Sequence, residues 1–285
     1  MIAITGAAGK LGQLVLKGLL QQVPANQVVA TVRSLEKADD LRALGVQVRE
    51  ADYDRPEMLL EAFRGVDKLL LVSAVVPGQR FGQHKAVINA AKQAGVKLVA
   101  YTSILRAGTS ELLLAQEHKK TEEYLKDSGL EFVLLRNGWY LENDTGSLTA
   151  ALAQGALIGS SGQGRFASAS RADYADAAVA VLTQPGHTNK IYELAGDQSF
   201  SMPELAEEVS KQAGKTVVYN DLPSAEFEAV LQSFGLPQMF VDAIVDASVK
   251  ASKGELNSSS QDLSRLIGRK TTSVAEAVTT ALQAR

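Results

Sequence analysis

Residues 2–12, IAITGAAGKLG, decide the fold of this chain. Residues 2–5 are an apolar run typical of a short buried strand, and an apolar helical stripe begins directly after the glycines. In the pattern G-x-x-G-x-x-G, the first glycine allows a sharp turn, the second lets the backbone approach a pyrophosphate, and the third lets the helix pack against the strand. The helix N-terminus offers free N–H groups to an anion. The stretch therefore predicts a dinucleotide phosphate site at Gly6, Ala8, Gly9, Lys10, Leu11 and Gly12.

Strand and helix patterns alternate six times over the first half of the chain. Short connections between them are typical of a doubly wound parallel sheet, because right-handed crossovers place helices on both faces. We predict an α/β fold with a Rossmann-type, dinucleotide-binding domain over residues 1–140. Residues 141–285, where the alternation weakens, are predicted to form a smaller α/β lobe, with residues 171–182 packing back on the sheet. The predicted strands of the sheet cover residues 2–5, 28–33, 46–51, 68–73, 97–103 and 130–136.

The composition excludes several classes of function. A net charge of −3, from 29 Lys+Arg and 32 Asp+Glu, gives no field that would attract nucleic acid or an anionic membrane. The chain has no cysteine, and its histidines lie far apart, so we predict no metal site. No apolar run is long enough to span a bilayer, and a strand at residue 2 leaves no room for a signal peptide, so we expect a cytoplasmic protein. The histidines are His84, His118 and His187.

Ligands of doubly wound sheets bind beyond the carboxyl ends of the strands, and the second strand ends at Arg33. NAD-binding sheets usually place a carboxylate there, which accepts hydrogen bonds from the ribose hydroxyls. A guanidinium instead attracts a 2′-phosphate and can bind it through two hydrogen bonds, so Arg33 favours NADP(H). Lys10 and Lys37 would add positive charge. The alternative is a solvated surface arginine.

Two further strand ends contribute predicted cofactor contacts. Asp52 and Tyr53 follow the third strand, where an adenine would lie. Asp52 would accept a hydrogen bond from the adenine amino group, and Tyr53 would pack beside the base or a phosphate. The alternative is a turn-forming aspartate with a half-buried tyrosine. Ser73, Ala74 and Val75 follow the fourth strand and are predicted to line the nicotinamide half of the cofactor.

The sixth strand is followed by Asn137, Gly138 and an aromatic pair. Asn137 can hydrogen-bond a carboxamide or a substrate oxygen, and it is the first candidate for a catalytic residue. Trp139 and Tyr140 would give a substrate a flat apolar wall, although aromatic residues are most often part of a core.

Further motifs extend over nearly the whole chain and resemble one family. They are GAAGKLG, VRS, EADY, LLLVS, NAAKQAGVKLVAYTS, LAQEHKKTE, LLRNGWY, SRADYADAA and IYELAGD. With them the chain resembles the NmrA-like branch of the atypical short-chain dehydrogenases. Within that branch it is most similar to bacterial NADPH-dependent quinone reductases, and next to triphenylmethane-dye reductases. The resemblance implies NADP(H) as cofactor, hydride transfer to a quinone, and a C-terminal lobe that covers the nicotinamide and the substrate.

The sequence departs from the wider family in two places. Ala8 stands where relatives usually carry a threonine, and none of the seven tyrosines has a lysine four residues later. The usual Tyr-x-x-x-Lys acid dyad is therefore absent. A quinone acceptor fits this absence, because a hydroquinone anion can take protons from water and catalysis then needs mainly alignment. His118 aligns near the helical lysine of other reductases and is the second catalytic candidate, with a surface histidine as the alternative.

Two other functions stay open. A non-catalytic NADP(H)-binding sensor of the NmrA type would also lack the dyad. A reductase of another flat, electron-poor acceptor, such as a dye, would use the same site. A homodimer is left open as well, because the sequence does not determine the oligomeric state.

Overall fold

The computed structural model describes residues 1–284, apart from the side chain of Lys37, so the predicted charge contribution of Lys37 lies outside the described part. The strands are β1 (Ile2–Ile4), β2 (Val28–Val32), β3 (Gln47–Glu50), β4 (Lys68–Leu71), β5 (Leu98–Ile104), β6 (Glu131–Asn137), β7 (Ala156–Gly159), β8 (Arg165–Phe166), β9 (Lys190–Leu194), β10 (Phe200–Ser201) and β11 (Val218–Asp221).

The helices interleave with these strands in the predicted alternation up to β6. They are α1 (Lys10–Leu19), α2 (Asp39–Ala43), α3 (Pro56–Ala62), α4 (Arg80–Gln93), α5 (Ala115–Asp127), α6 (Leu141–Thr145), α7 (Leu148–Gln154), α8 (Arg171–Thr183), α9 (Met202–Ala213), α10 (Ser224–Ser233), α11 (Gln238–Ala251), α12 (Asp262–Ile267) and α13 (Val274–Gln283). Within residues 1–284, none of these helices combines the length and the apolar character that crossing a bilayer requires.

Within the described part of the chain, seven strands form one sheet in the order β3-β2-β1-β4-β5-β6-β9. The pairs from β3 through β6 are all parallel. The chain builds outward from β1 to β3 and then continues from β4 on the other side of β1, so the order reverses between β1 and β4. Dinucleotides bind at such a reversal point. The predicted doubly wound, Rossmann-type sheet is confirmed, with β9 as an additional strand.

Two glycines allow α1 to pack closely on its neighbours. A Cβ atom at Gly12 would lie 2.4 Å from the carbonyl oxygen of Gly6, so only glycine lets the helix approach the turn after β1. Six residues further along the helix, a Cβ atom at Gly18 would lie 2.9 Å from Cγ2 of Val179 in α8. Helix α1 is therefore held between the turn that follows β1 and helix α8.

Close contacts divide the chain into two compact units. The first unit contains Met1–Ala107, Glu117–Asn137 and Arg171–Glu193, and the second contains Gly108–Gln116, Gly138–Ser170 and the chain from Leu194 onward. Helix α8 thus belongs with the sheet, where it packs against α1. The second unit has two small sheets, in which β10 pairs antiparallel with β8 and β11 pairs parallel with β7.

Replacing Gly12 with alanine tests the packing of α1. We expect Gly12→Ala to lower the free energy of unfolding by about 1–3 kcal/mol, because the added methyl group overlaps the backbone of the turn. The matched control is Gly82→Ala in α4, where a Cβ atom meets nothing within 4 Å. That change should be neutral or stabilise the protein by about 0.5–1 kcal/mol. Urea unfolding measures both variants, and equal effects would contradict the packing argument.

Candidate functional site

A cavity of about 320 Å³ lies in the first unit, at the carboxyl ends of β1, β2 and β4. This is the edge of the sheet at which a dinucleotide is expected. Most of the predicted cofactor residues line it. The lining residues are Gly6, Ala8, Gly9, Val32, Arg33, Ala51, Tyr53, Val72, Ser73, Ala74, Val75, Val76 and Gln83.

The glycine turn gives this cavity a wall of backbone. Gly6 has a φ of +58°, in the left-handed region that glycine adopts without strain. The N–H of Gly9 donates to the carbonyl oxygen of Gly6 at 2.9 Å, which closes the turn. Gly9 is also the N-cap of α1, and no side chain caps the helix there. The first helical N–H groups therefore stay available to an anion, and the first turn of α1 contains no acidic residue that would repel one.

Five predicted cofactor residues do not line the cavity, namely Lys10, Leu11, Gly12, Asp52 and Asn137. Leu11 and Gly12 are buried behind the turn, where Gly12 provides the close approach of α1, while Lys10 is exposed at the helix start. Asp52 accepts a hydrogen bond from the N–H of Asp54 at 3.1 Å and lies 3.8 Å from the Arg55 guanidinium. Asp52 thus makes the local contacts of a turn-forming aspartate, and its contact with adenine stays a prediction.

Arg33 lines the cavity directly after β2 and is exposed. Nearby, the Tyr53 hydroxyl donates to the carbonyl oxygen of Val72 at 3.1 Å. Burial raises the pKa of the Tyr53 phenol, and the positive charge of Arg33 partly opposes that rise. Among the described residues, no carboxylate forms an ion pair with Arg33. The guanidinium can therefore bind an external anion without breaking an internal contact.

Buried side chains fix the loop that follows β4. Each of three consecutive backbone N–H groups donates to a side chain on a different element, which makes this wall of the cavity rigid. The three bonds, each 2.9 Å long, run from Val72 to Thr5 Oγ1, from Ser73 to Thr102 Oγ1, and from Ala74 to His84 Nε2.

The hydrogen bond from Ala74 determines the tautomer of His84. Because Nε2 accepts a hydrogen bond, the ring proton is on Nδ1, which lies 3.1 Å from Thr121 Oγ1. Burial, together with the charge of Arg80, lowers the pKa of His84 to about 3. His84 is therefore a neutral, permanent acceptor for the loop. Its role was missed in the sequence, where an isolated histidine within a helix gives no such signal.

His118 is buried, with 5% of its surface exposed, so the alternative of a surface histidine is wrong. Its Nδ1 lies 2.6 Å from the hydroxyl of Tyr101. Burial lowers the pKa of His118 well below 6.5, and the charge of Arg80 and the nearby His84 lower it further. At neutral pH the ring is uncharged, so it can take part in hydrogen bonds but is not an imidazolium acid. Its catalytic role stays a prediction.

Asn137 ends β6, and 5% of its surface is exposed. Its backbone carbonyl accepts a hydrogen bond from the N–H of Leu105 at 2.9 Å. Its side-chain Oδ1 is buried and has no hydrogen-bond partner among the described residues. An unpaired buried acceptor costs about 1–3 kcal/mol, so this atom is suited to a donor supplied by a ligand.

A buried ion network, also missed in the sequence, holds three elements of the first unit together. Glu122 of α5, which is 2% exposed, accepts hydrogen bonds from Ser103 Oγ of β5 at 2.6 Å and from two guanidinium nitrogens of Arg136. Arg136 of β6 also donates to Glu193 at 2.6 Å. The sequence signal for this network was Arg136, because it lies within an apolar strand and a charge buried there requires a partner.

A second cavity, of about 300 Å³, lies within the second unit. Trp139 lines it, and Trp139 Nε1 donates to Asp144 Oδ1 at 2.9 Å. Ser168 Oγ donates to the other oxygen of Asp144 at 3.3 Å. Burial raises the pKa of Asp144 to about 7, and the charge of Glu142 adds to the rise. Tyr140 does not line this cavity; it precedes α6 and pairs with Ala169. The two aromatic residues predicted to form one wall thus have different surroundings.

No group of three or more acidic or histidine side chains suitable for a metal ion occurs within residues 1–284.

The family model described as NAD(P)H-binding matches residues 6–185. Quinone oxidoreductase 2 of Escherichia coli strain K12 is 53% identical over 278 residues, which cover 98% of this chain and 97% of that protein. The structure of an NADPH-dependent quinone oxidoreductase from E. coli, complexed with NADPH, superposes with a TM-score of 0.96 at 52% identity, covering 99% of this chain and 100% of that one.

A further similar structure is that of triphenylmethane reductase from Citrobacter sp., complexed with NADP(H). Its TM-score is 0.94 at 39% identity, and the match covers 99% of this chain and 100% of that one.

The raised pKa of Asp144 predicts a pH-dependent stability. A carboxyl whose pKa is about 7 in the folded protein, against 3.8 ordinarily, stabilises the fold at low pH and loses that contribution as the pH rises through about 7. Asp144→Asn cannot ionise and keeps an oxygen for Trp139 and a donor for Ser168. We compare the free energy of unfolding of Asp144→Asn with that of the natural protein at each pH. This difference should change in favour of the variant by about 1–4 kcal/mol from about pH 5 to pH 8. Urea unfolding at both pH values measures this gain.

The control for this comparison is Asp242→Asn, which changes an exposed aspartate of α11. The difference between Asp242→Asn and the natural protein should be similar at the two pH values. A constant difference for Asp144→Asn as well would contradict the protonated state of the buried carboxyl.

Proposed function

Because the chain belongs to the NAD(P)H-binding family, we propose that it is an NADPH-dependent reductase that transfers a hydride to a quinone. The near full-length match to quinone oxidoreductase 2 carries this proposal. The resemblance to NmrA-like quinone reductases, predicted from the sequence motifs, is confirmed by the relatives.

The residues in and beside the first cavity suit the phosphate groups of NADP(H). The glycine turn that Gly6 and Gly9 form leaves room and free N–H groups for a diphosphate, with Ala8 and the exposed Lys10 beside it. Arg33 would bind the 2′-phosphate, since no described carboxylate competes for it. Tyr53 would pack beside the base or phosphate, and the loop of Ser73, Ala74 and Val75 would line the nicotinamide half.

The residues of this chain would contribute to the reaction mainly by orienting the cofactor and the acceptor. When bound, NADPH supplies the hydride, so the quinone gains two electrons and a proton, and one proton from water completes the hydroquinone. Asn137 would accept a hydrogen bond from the carboxamide at its unpaired Oδ1. His118 is uncharged at neutral pH, so it would hold a hydrogen bond rather than deliver a proton. Such a site relies on proximity, which can supply much of the rate when no strong acid is needed.

Three finer points belong to the same proposal. A cytoplasmic location is retained as a proposal from the sequence. A homodimer is retained as a proposal, and light scattering on the purified protein measures it. The lobe of residues 141–285 is proposed to cover the acceptor.

An oxidation assay tests the proposed function. The purified protein is incubated with NADPH and simple quinones, and the absorbance of the reduced nicotinamide is followed. We expect oxidation of NADPH that depends on both protein and quinone. Tight NADPH binding without oxidation by any acceptor would instead support an NADP(H)-binding sensor. Faster turnover with a triphenylmethane dye than with every quinone would support a dye reductase, which the match to triphenylmethane reductase favours as second candidate.

Reversing the charge at Arg33 tests the choice of cofactor. Arg33→Asp removes a charge-assisted contact worth about 1.5–3 kcal/mol, so the KM for NADPH should rise roughly tenfold to a hundredfold while the KM for NADH changes little. The control is Arg64→Asp, an exposed arginine that does not line the cavity. Equal effects of Arg33→Asp on the two cofactors would refute the assigned role.

A further inference from the structure

Gln83 lines the first cavity, although it was not among the predicted cofactor residues and no step described above uses it. The residue lies in the first turn of α4, and 7% of its surface is exposed. Its backbone N–H donates to the carbonyl oxygen of Gln79 at 3.1 Å, within the helix. What Gln83 can offer a ligand is therefore its side-chain amide.

A carboxylate fixes the orientation of this amide. Gln83 Nε2 donates to Asp54 Oδ1 at 2.8 Å. A carboxylate accepts hydrogen bonds and does not donate them, so the NH2 group of Gln83 must face Asp54. The amide oxygen, Oε1, accepts no hydrogen bond from the described residues and keeps some access to solvent. A buried side chain that lines a cavity and has an open acceptor is suited to a ligand that donates.

We propose that Gln83 Oε1 accepts a hydrogen bond from the 6-amino group of the adenine of NADP(H), and that Asp54 is the positioning residue that keeps this oxygen toward the base. The inference rests on the proposed NADPH-dependent function and specifies how the protein recognises the base of its cofactor. It gives to Gln83 the contact that the sequence predicted for Asp52, which does not line the cavity.

The contact with Asp54 places Gln83 on the adenosine side of the cavity. Asp54 follows β3, and α4 packs against α3, so the amide reaches the β3 side of the sheet. In the strand order, β3 lies beyond β2, and β2 is followed by Arg33, which would bind the 2′-phosphate of the adenosine ribose. A dinucleotide extends across the reversal between β1 and β4, so groups at the ends of β2 and β3 face its adenosine half.

The lining near β3 suits a purine base. Ala51 and Tyr53 line the cavity there, and the Tyr53 hydroxyl already donates to the carbonyl oxygen of Val72. Arg33 donates hydrogen bonds but cannot accept them. The amino group of adenine is a donor, so it requires an acceptor, which Gln83 Oε1 supplies. A base with an oxygen at this position would instead place two acceptors against each other.

Two cofactors that differ at one position of the base test the inference. They are NADPH and reduced nicotinamide hypoxanthine dinucleotide phosphate, in which an oxygen replaces the 6-amino group. Isothermal titration calorimetry without a quinone measures the dissociation constant of each, so the result does not depend on turnover. We expect the natural protein to bind NADPH roughly tenfold to a hundredfold more tightly, because the analogue leaves a buried acceptor unpaired.

Gln83→Leu removes the acceptor and keeps a side chain of similar size. The ratio of the two dissociation constants should fall to about threefold or less, because the variant has no group at this position that distinguishes the bases. The preference for NADPH over NADH should stay, since Arg33 is unchanged. The matched control is Gln93→Leu, at an exposed position in α4 that does not line the cavity, and it should keep the natural ratio.

Asp54→Asn tests the positioning role, because an asparagine donates as well as accepts. Gln83 can then turn its amide over and offer Nε2 to the oxygen of hypoxanthine. We expect the ratio to fall by about fivefold or more, mainly through tighter binding of the analogue. A change that only loosened the fold would weaken the binding of both cofactors alike. An unchanged ratio would overturn the role given to Asp54.

Two results would overturn the inference and leave the proposed function standing. One is equal dissociation constants of the two cofactors in the natural protein. The other is an unchanged ratio in Gln83→Leu, because a different group would then recognise the amino group. Failure of the natural protein to bind NADPH at all would instead overturn the proposed function, and the inference with it.

Discussion

The contact between helix α1 and the turn after β1 is the constraint on which the first unit depends. At Gly12 the helix approaches the backbone carbonyl of Gly6 so closely that no side chain fits, and at Gly18 it lies close to the Val179 side chain of α8. These two approaches fix the direction of α1, and so they fix where its first N–H groups point. The cavity at the carboxyl edge of the sheet derives its wall of backbone N–H groups from this packing, and Arg33 and the loop after β4 complete the lining.

The order of the first six strands could be predicted because each strand is a local apolar run between turn residues. The packing of residues 171–182 on the sheet was among the predictions, whereas the addition of β9 to the sheet was not, because it depends on pairing between segments far apart in sequence. The chain leaves the first unit after Asn137 and returns to it at Arg171. Long-range packing determines such a return, whereas periodicity along the sequence describes only one element at a time.

For the candidate site, the rule that ligands bind at strand ends selected Gly6, Arg33 and Ser73, and these residues line one cavity, while their contacts with a cofactor stay a prediction. The rule could not find His84, which reaches the same loop from a helix. The surface alternative for His118 was wrong for a related reason, since this histidine is buried and its contact, the Tyr101 hydroxyl, lies on another element. Asp144 illustrates the same limit: its carboxyl is buried by neighbours from several segments, which a linear pattern does not bring together.

The ion network around Glu122 has a consequence for how this protein can change over evolutionary time. Ser103, Glu122 and Arg136 belong to three successive elements, and each satisfies a group that would otherwise be a buried, uncompensated dipole or charge. Loss of the arginine alone would leave a carboxylate with almost no access to water, which is far more harmful than loss of the whole set. Descendants of this sequence should therefore keep or replace the set together, as one inherited block.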